Sequence, residues 1–353
     1  VVALGVNVTV IGNGAHATGA PISLLSILER RPPEVSLRTV LLGGGPLTGR
    51  YEAVSDQLHV LEIPTVRGLR TRRVVEEVRL ARQLYAATRP RSPNEVLVVN
   101  TIEYEAALFR AKTWPHQAKV MIRESKARGT GFRGRARVAL LRSAPSVSMA
   151  AVGELQAREW RDVLGRDVER RVNVYEAGEA SDDTPGTGPI RFLVVGGASQ
   201  IKGVDLAVEA FEAMACKDGA RLVVASGDFD PRDEDGVLWT GYVPDLGRHM
   251  ARHGDVLLGA SRHEAFARAV VEAGLAGLPT LAWDVEGYSE QIRVLGGRVV
   301  APYDTRALAE AMDEIVGQGR TALAARGVDV RRRARQEFDA ETAAAAWWEW
   351  ILG

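Results

Sequence analysis

Ser261–Gly287 reads SRHEAFARAVVEAGLAGLPTLAWDVEG. It grows out of a short apolar run, DVLLGAS (255–261). It then passes through an amphipathic stretch, AFARAVVEAGLAG, that ends on glycine, and enters a second apolar run, PTLAWD (279–284). Strand, turn, helix, strand is a parallel crossover unit, since parallel strands need a helix-length connection. The alternation extends in both directions. Upstream lie RFLVVGG, a helical stretch from Val204 to Met214, and RLVVASG; downstream lies the helical RALAEAMDEIVGQG. The first half repeats it, with VNVTVIG, EVSLRTVLLGG, EVLVVN and KVMIRE as strands and APISLLSILERR and RRVVEEVRLARQLYAATR as helices. The opening VVALGVNVTVIG lacks a basic leader and reads as a first strand. Between the two series, AGEASDDTPGTGPI carries two Pro, three Gly and two adjacent Asp, the composition of a solvated linker.

The expectation is an α/β chain of two Rossmann-like, doubly wound domains facing a cleft, where the carboxyl ends of such sheets bind ligands. The first domain covers 1–180, the linker 181–189 and the second domain 190–335. A helix over 336–353, with Trp347, Trp348 and Trp350 as packing anchors, is expected across the domain junction.

Composition narrows the function classes. With 46% hydrophobic and 25% charged residues in 353, the chain is neither disordered nor collagen-like. Its single cysteine, Cys216, can form neither an internal disulfide nor a cysteine zinc cluster, so a reducing, cytoplasmic setting is expected. No apolar run is long enough for a membrane span. Net charge is zero, but residues 1–180 hold 27 Lys+Arg against 18 Asp+Glu, and residues 181–353 hold the reverse. The first half should therefore attract an anionic ligand, lipid headgroup or acidic polymer, or else its charge is merely solvated. Two clusters carry it: RGLRTRR (67–73), and Arg128, Arg133, Arg135, Arg137 and Arg142. The second could lie on a helix touching anionic lipid, which would make the protein a peripheral membrane binder. Nucleic acid is not an expected partner, because the basic residues lack interleaved aromatics.

Two motifs mislead. Gly12-Asn13-Gly14-Ala15-His16-Ala17 fits the dinucleotide-binding fingerprint, but the acidic residue required at the end of the next strand is missing from SLRTVLLGGG. What survives is a glycine turn that lets backbone amides approach an anion. Asp228-Phe229-Asp230 could hold a divalent cation, yet it sits in a polar loop where carboxylates are ordinarily solvated.

The chemistry concentrates at Glu264 and Glu272. Ala265, Phe266, Ala267 and Arg268 fall at a helix N-terminus, whose free amides and positive dipole end favour a diphosphate. Glu264 at the loop edge can accept hydrogen bonds from sugar hydroxyls, and Glu272 can accept two from vicinal hydroxyls of a ribose. Eight residues apart, the carboxylates would share nearly one helical face. Sugar, diphosphate and ribose in a row describe a nucleotide sugar.

Ser261, Arg262, Glu264, Phe266, Glu272, Ala273, Gly277 and Pro279 resemble the signature of the retaining glycosyltransferases of the GT-B fold, family 4. Ile201-Lys202-Gly203-Val204-Asp205 is similar to the family's K-G-x-D, whose lysine binds the donor diphosphate. Thr240-Gly241-Tyr242-Val243-Pro244-Asp245 resembles its base-contacting turn, and Ala301-Pro302-Tyr303-Asp304 its closing segment. The departures are Ala267 for the usual glycine and Gly197 for the usual arginine; Arg268 is the candidate replacement for that arginine.

In the first half, Asn13–Pro21, with Gly14 on the donor side and His16 and Gly19 on the acceptor side, resembles the family's glycine-rich first loop. Asn100 ends EVLVVN. Arg123 and Glu124 stand where many members have a histidine; Arg123 either holds an acidic acceptor or the phosphate, or forms an ion pair with Glu124.

The resemblance implies transfer of a sugar from a nucleoside diphosphate to an acceptor hydroxyl, with retention and without a metal or other cofactor. The acceptor is expected to be anionic or polyhydroxylated. Lys202, Arg268 and the helix amides would stabilise the departing diphosphate, Glu264 would orient the donor sugar, and no enzyme nucleophile is assigned. The competing expectations are a nucleotide-sugar epimerase or hydrolase of the same fold, and an inactive nucleotide-sugar-binding protein.

Overall fold

A computed structural model of the chain describes residues 5–62, 70–125, 129–176 and 188–353, with 70–76 described by backbone alone. The chain divides into two units, Val1–Val174 with Glu341–Gly353, and Tyr175–Ala340.

Unit 1 alternates strands and helices as its sequence pattern predicts. In order come β1 (Val6–Gly12), α1 (Gly19–Leu28), β2 (Val35–Leu41), α2 (Thr48–Val54), β3 (Gln57–Val60), α3 (Arg70–Ala87) and β4 (Val96–Val99). They are followed by α4 (Glu105–Lys112), β5 (Ala118–Ile122), α5 (Gly131–Arg142), β6 (Val147–Ala151), α6 (Glu154–Leu164) and β7 (Glu169–Arg170). The strands pair in parallel in the order β3-β2-β1-β4-β5-β6-β7. All residues of β4 and β5 are buried, as they must be when helices cover both faces of a parallel sheet. Right-handed crossovers set α3, α4, α5 and α6 side by side on one face and α1 with α2 on the other. Strand order reverses between β1 and β4, so the loops after these two strands flank the switch point where such sheets bind ligands.

Unit 2 consists of β8 (Ile190–Val195), α7 (Val204–Glu212), β9 (Ala220–Ala225), β10 (Arg232–Glu234), β11 (Val237–Gly241), α8 (Leu246–His253) and β12 (Val256–Gly259). It continues through α9 (Arg268–Ala276), β13 (Thr280–Trp283), α10 (Glu286–Leu295), β14 (Gly297–Val300) and α11 (Thr305–Glu337). The sheet order is β10-β11-β9-β8-β12-β13-β14, with its switch point between β8 and β12.

Two departures from a regular Rossmann unit stand out. β9 reaches β11 through the antiparallel strand β10, turned by Asp235 (φ 49°) and Gly236 (φ 83°), where the sequence pattern had suggested only a polar loop. The exposed edge this leaves is Arg232-Asp233-Glu234, whose charges discourage pairing with another strand. α11 breaks at Gly319 (φ 74°, ψ 170°), the end of the helix expected from RALAEAMDEIVGQG, and then continues to Glu337.

The last helix, α12 (Ala340–Leu352), adds its Glu341–Leu352 portion to unit 1. Its tryptophans are buried there: Trp347 donates its indole N–H to Val172 O at 2.6 Å, and Trp348 donates to Ile27 O at 3.0 Å. Lys119 Nζ lies 5.2 Å from the Trp350 ring centroid. Of the expected linker, residues 181–187 lie outside the described residues. Gly188 O accepts from Arg320 Nε at 3.1 Å.

Candidate functional site

The C-terminal ends of β8 and β12 carry Lys202 and Glu264, and the fold brings the two together. After β8 the chain makes one 3-10 turn, Gln200–Lys202, begun by the Ser199 hydroxyl accepting from Ile201 N. It leaves that turn through Gly203 at φ 64°. A Cβ at Gly203 would lie 1.8 Å from Ala260 O, so only glycine lets this turn press against the end of β12. Lys202 Nζ then donates to Glu264 Oε2 at 2.9 Å, with both side chains partly open to solvent.

The two loops are clamped by residues whose only mark in the sequence is their place in a motif. Arg262 donates to both carboxylate oxygens of Asp205, at 3.0 and 2.7 Å, and Arg262 N donates to Ile201 O at 2.8 Å. The Tyr303 hydroxyl donates to Arg262 O at 2.8 Å. The hydrogen bonds from Arg262 hold the Asp205 carboxyl below the ordinary carboxylate range. Glu264 is fixed from behind by Gly287 N donating to its backbone carbonyl at 3.0 Å; a Cβ at Gly287 would meet that oxygen at 2.6 Å. Buried Tyr288 donates to Ser261 Oγ at 2.9 Å, and burial pushes its phenol up to about 12.

α9 starts at Arg268, later than the sequence pattern suggests. Ala265, Phe266 and Ala267 form the approach loop, so Glu264 precedes the helix and does not share a helical face with Glu272. Ala267 adopts the left-handed conformation (φ 58°), which glycine would take without strain. No side chain caps α9, which leaves its first amides to solvent or to a ligand. Arg268, the candidate replacement for the diphosphate arginine, is the first residue of α9. Its guanidinium donates to Glu272 Oε1 at 2.8 Å and stacks 4.9 Å from the Tyr175 ring centroid. Burial opposes its charge, but Glu272 and Tyr175 outweigh burial and hold its pKa above the ordinary value.

Gly197 faces a carboxylate. Asp228 Oδ2 accepts from Ala198 N at 2.8 Å and would sit 2.4 Å from a Cβ at Gly197, so Asp228 fills the room a longer side chain would need. The Asp228-Phe229-Asp230 motif is thus partly spent on the backbone. Among the described residues no group of three His, Cys, Asp or Glu side chains is placed to hold a metal ion. Beyond β11, Gly241 (φ 71°) packs against Pro231, Tyr242 is exposed beside Gly227, and Val243 is half-buried.

In unit 1, Asn13, Gly14, His16 and Gly19 follow β1. Gly14 is buried, His16 is exposed, and Gly19 opens α1. Asn100, after β4, donates weakly to Asn13 Oδ1 and Ala20 O, both at 3.5 Å. Arg123, after β5, donates from Nε to Asn100 Oδ1 at 2.9 Å and from a terminal nitrogen to Asn173 Oδ1; its guanidinium lies 5.3 Å from the Trp347 ring centroid. Glu124 takes its hydrogen bonds from the Thr101 hydroxyl at 2.5 Å and from the amides of Arg123 and Ile102. Burial pushes its carboxyl up, against those hydrogen bonds.

Residues 189–318 match the family model for Glycosyl transferases group 1. No curated protein matches the sequence. Among solved structures, Anabaena HepE in complex with UDP-glucose aligns with a TM-score of 0.75 at 15% identity, over 98% of this chain and 99% of that one. WaaG, a glycosyltransferase involved in lipopolysaccharide biosynthesis, gives 0.73 at 18% identity, over 98% and 100%. Sucrose-phosphate synthase from Thermosynechococcus elongatus gives 0.74 at 16%, over 98% of each chain. The chain therefore has the GT-B fold of two Rossmann-like units, and its second unit, over residues 189–318, matches the group 1 glycosyl transferases.

Proposed function

We propose that the protein is a retaining, family 4 glycosyltransferase that moves a hexose from a nucleoside diphosphate to the hydroxyl of an anionic or polyhydroxylated acceptor. The carrying observation is the Lys202–Glu264 pair at the switch point of unit 2, beside the uncapped N-terminus of α9. The difficult charges in such a transfer are positive at the sugar carbon and negative on the departing diphosphate. Lys202 and the α9 amides answer the second by preorganised electrostatics. Glu264 orients the sugar through its hydroxyls, and Glu272, held by Arg268, takes the ribose. The donor phosphate serves as base, and no metal enters. The exposed thiol of Cys216 suits a reducing, cytoplasmic setting.

UDP-glucose is the first donor to test, because the HepE complex contains it. UDP release from UDP-glucose, with and without an acceptor panel, should fall about 10²-fold in Glu264→Ala and in Lys202→Ala. EDTA should leave it unchanged. Turnover near wild type in either variant refutes the assigned roles. Asp228 beside Gly197 favours a second reading, a nucleotide-sugar-binding protein without transfer: an anion stands where the family keeps a cation. UDP binding by calorimetry with no transfer to any acceptor would select it.

A further inference from the structure

Three neighbouring helices of unit 1, α3, α4 and α5, present an outward face unlike any other described part of that unit. Each carries one exposed aromatic residue: Tyr85 (58% exposed), Phe109 (54%) and Phe132 (84%). Among the described residues of unit 1 these are the only exposed large aromatics. Each has an exposed cation three positions away on the same helix, Arg82, Lys112 and Arg135 respectively, so ring and charge lie on one side of one turn. Exposed Val78 continues the stripe of Arg82 and Tyr85 along α3.

Among the residues of these helices whose side chains are described, the acids are paired. Over residues 77–89, 105–112 and 131–142 there are nine cations and two acids, Glu77 and Glu105. Arg133 bridges both acids, and Arg137 also binds Glu105 at 3.1 Å. Arg142 caps Val163 O. The arginine series expected from the sequence to touch lipid therefore splits: Arg133, Arg137 and Arg142 bind within the protein, and Arg135 remains outward. Arg128 and residues 67–69 of the other cluster lie outside the described residues, as do the side chains of 70–73. Tyr85 is also braced. Buried Arg110 crosses from α4 to stack 4.8 Å from the Tyr85 centroid and 4.6 Å from that of Trp114, which fixes the inner side of Tyr85.

We propose that the outer face of α3, α4 and α5 docks on an anionic bilayer. Aromatic rings settle at the headgroup level, while long cationic side chains extend to phosphate or carboxylate groups around them. The complementarity is electrostatic as well as apolar, because cations outnumber acids nine to two over residues 77–89, 105–112 and 131–142, and both of those acids are paired with arginine. It also disfavours a second copy of the chain on the same face, where cation would meet cation.

The test is co-sedimentation of the full chain with phosphatidylcholine vesicles, with and without phosphatidylglycerol. Binding is expected only to the anionic vesicles and should weaken with salt. The pair Phe109→Ser/Phe132→Ser and the pair Arg82→Glu/Arg135→Glu should each lower partitioning about tenfold or more, with unchanged circular dichroism since all four side chains are solvent-facing. Arg306→Glu, an exposed charge change on α11, should leave partitioning as it was. The proposal fails if wild type ignores anionic vesicles, if both paired variants bind like wild type, or if Arg306→Glu is as damaging as they are. Tight, salt-sensitive binding of a single-stranded RNA homopolymer, with no vesicle binding, would assign the face to nucleic acid instead.

Discussion

Gly203→Ala tests whether the Lys202 turn is set by contact with β12. The added methyl would start 1.8 Å from Ala260 O, and real contacts of this kind stay above 3.0 Å, so the two segments must separate by about 1.2 Å. Alanine at φ 64° costs about 1–2 kcal/mol in itself. The separation also strains the Arg262 N to Ile201 O hydrogen bond, now 2.8 Å, and the start of α7 at Ala207 N to Gly203 O, 3.0 Å. At about 1 kcal/mol for each hydrogen bond lost, the total is about 3–4 kcal/mol. A displacement of that size also takes Lys202 off its position, and about 1 Å of misplacement can cost 10²-fold in turnover. Urea unfolding followed by tryptophan fluorescence reads the first quantity, and UDP-glucose turnover of the residual folded protein reads the second. Gly317→Ala is the control: a Cβ there meets nothing within 4 Å, and in a helix it should stabilise by up to about 1 kcal/mol. If Gly203→Ala unfolds and turns over like wild type, the contact with β12 does not set the turn.

Ala267→Gly relieves a left-handed alanine but removes a buried methyl and loosens the unfolded chain. These effects nearly cancel, so the urea midpoint should move by less than about 0.5 kcal/mol equivalent. Asp255 is raised by burial but held below the ordinary carboxylate range by Arg191 and Arg320, which donate to it at 3.0 and 2.8 Å. Asp255→Asn should destabilise unit 2 by about 3 kcal/mol at neutral pH, and the gap from wild type should close as pH falls below 3.8. Burial, with His253 beside it, pushes the His249 imidazole down to about 4. Because the unfolded chain then binds the extra proton, stability is full above 6.5 and lost as pH falls towards 4. After screening by nearby solvent the loss is about 1–2 kcal/mol. His249→Gln should flatten that segment of the pH–stability curve measured by thermal unfolding.

The parallel strands were legible because burial on both faces demands unbroken apolar runs, as in EVLVVN and RFLVVGG. Lys202 and Glu264 were legible because short motifs at strand ends retain their spacing in the fold. The start of α9 was less so: AFARAVVEAG is helical by composition, and only the left-handed Ala267 delays the helix to Arg268. The partner of Arg268 was hidden for a different reason. Tyr175 lies far away in sequence, and nothing local to either residue announces the stack. Asp205 and Arg262 were noted for their match to a pattern, while the clamp they form depends on β8 and β12 being neighbours. The β10 hairpin was missed because three charged residues carry no strand periodicity; their pairing comes from the turn at Asp235-Gly236.

The place of Glu341–Gly353 in unit 1 shapes how the protein is made. At about 5–20 residues per second, the ribosome needs about 10–40 s to travel from Val174 to the end of α12. During that time the surfaces that will receive Trp347, Trp348 and Trp350 are uncovered, while Tyr175–Ala340 is being synthesised. The unit encoded first is thus the last to be finished, and a nascent chain stalled after Ala340 should display a sticky, chaperone-binding first half.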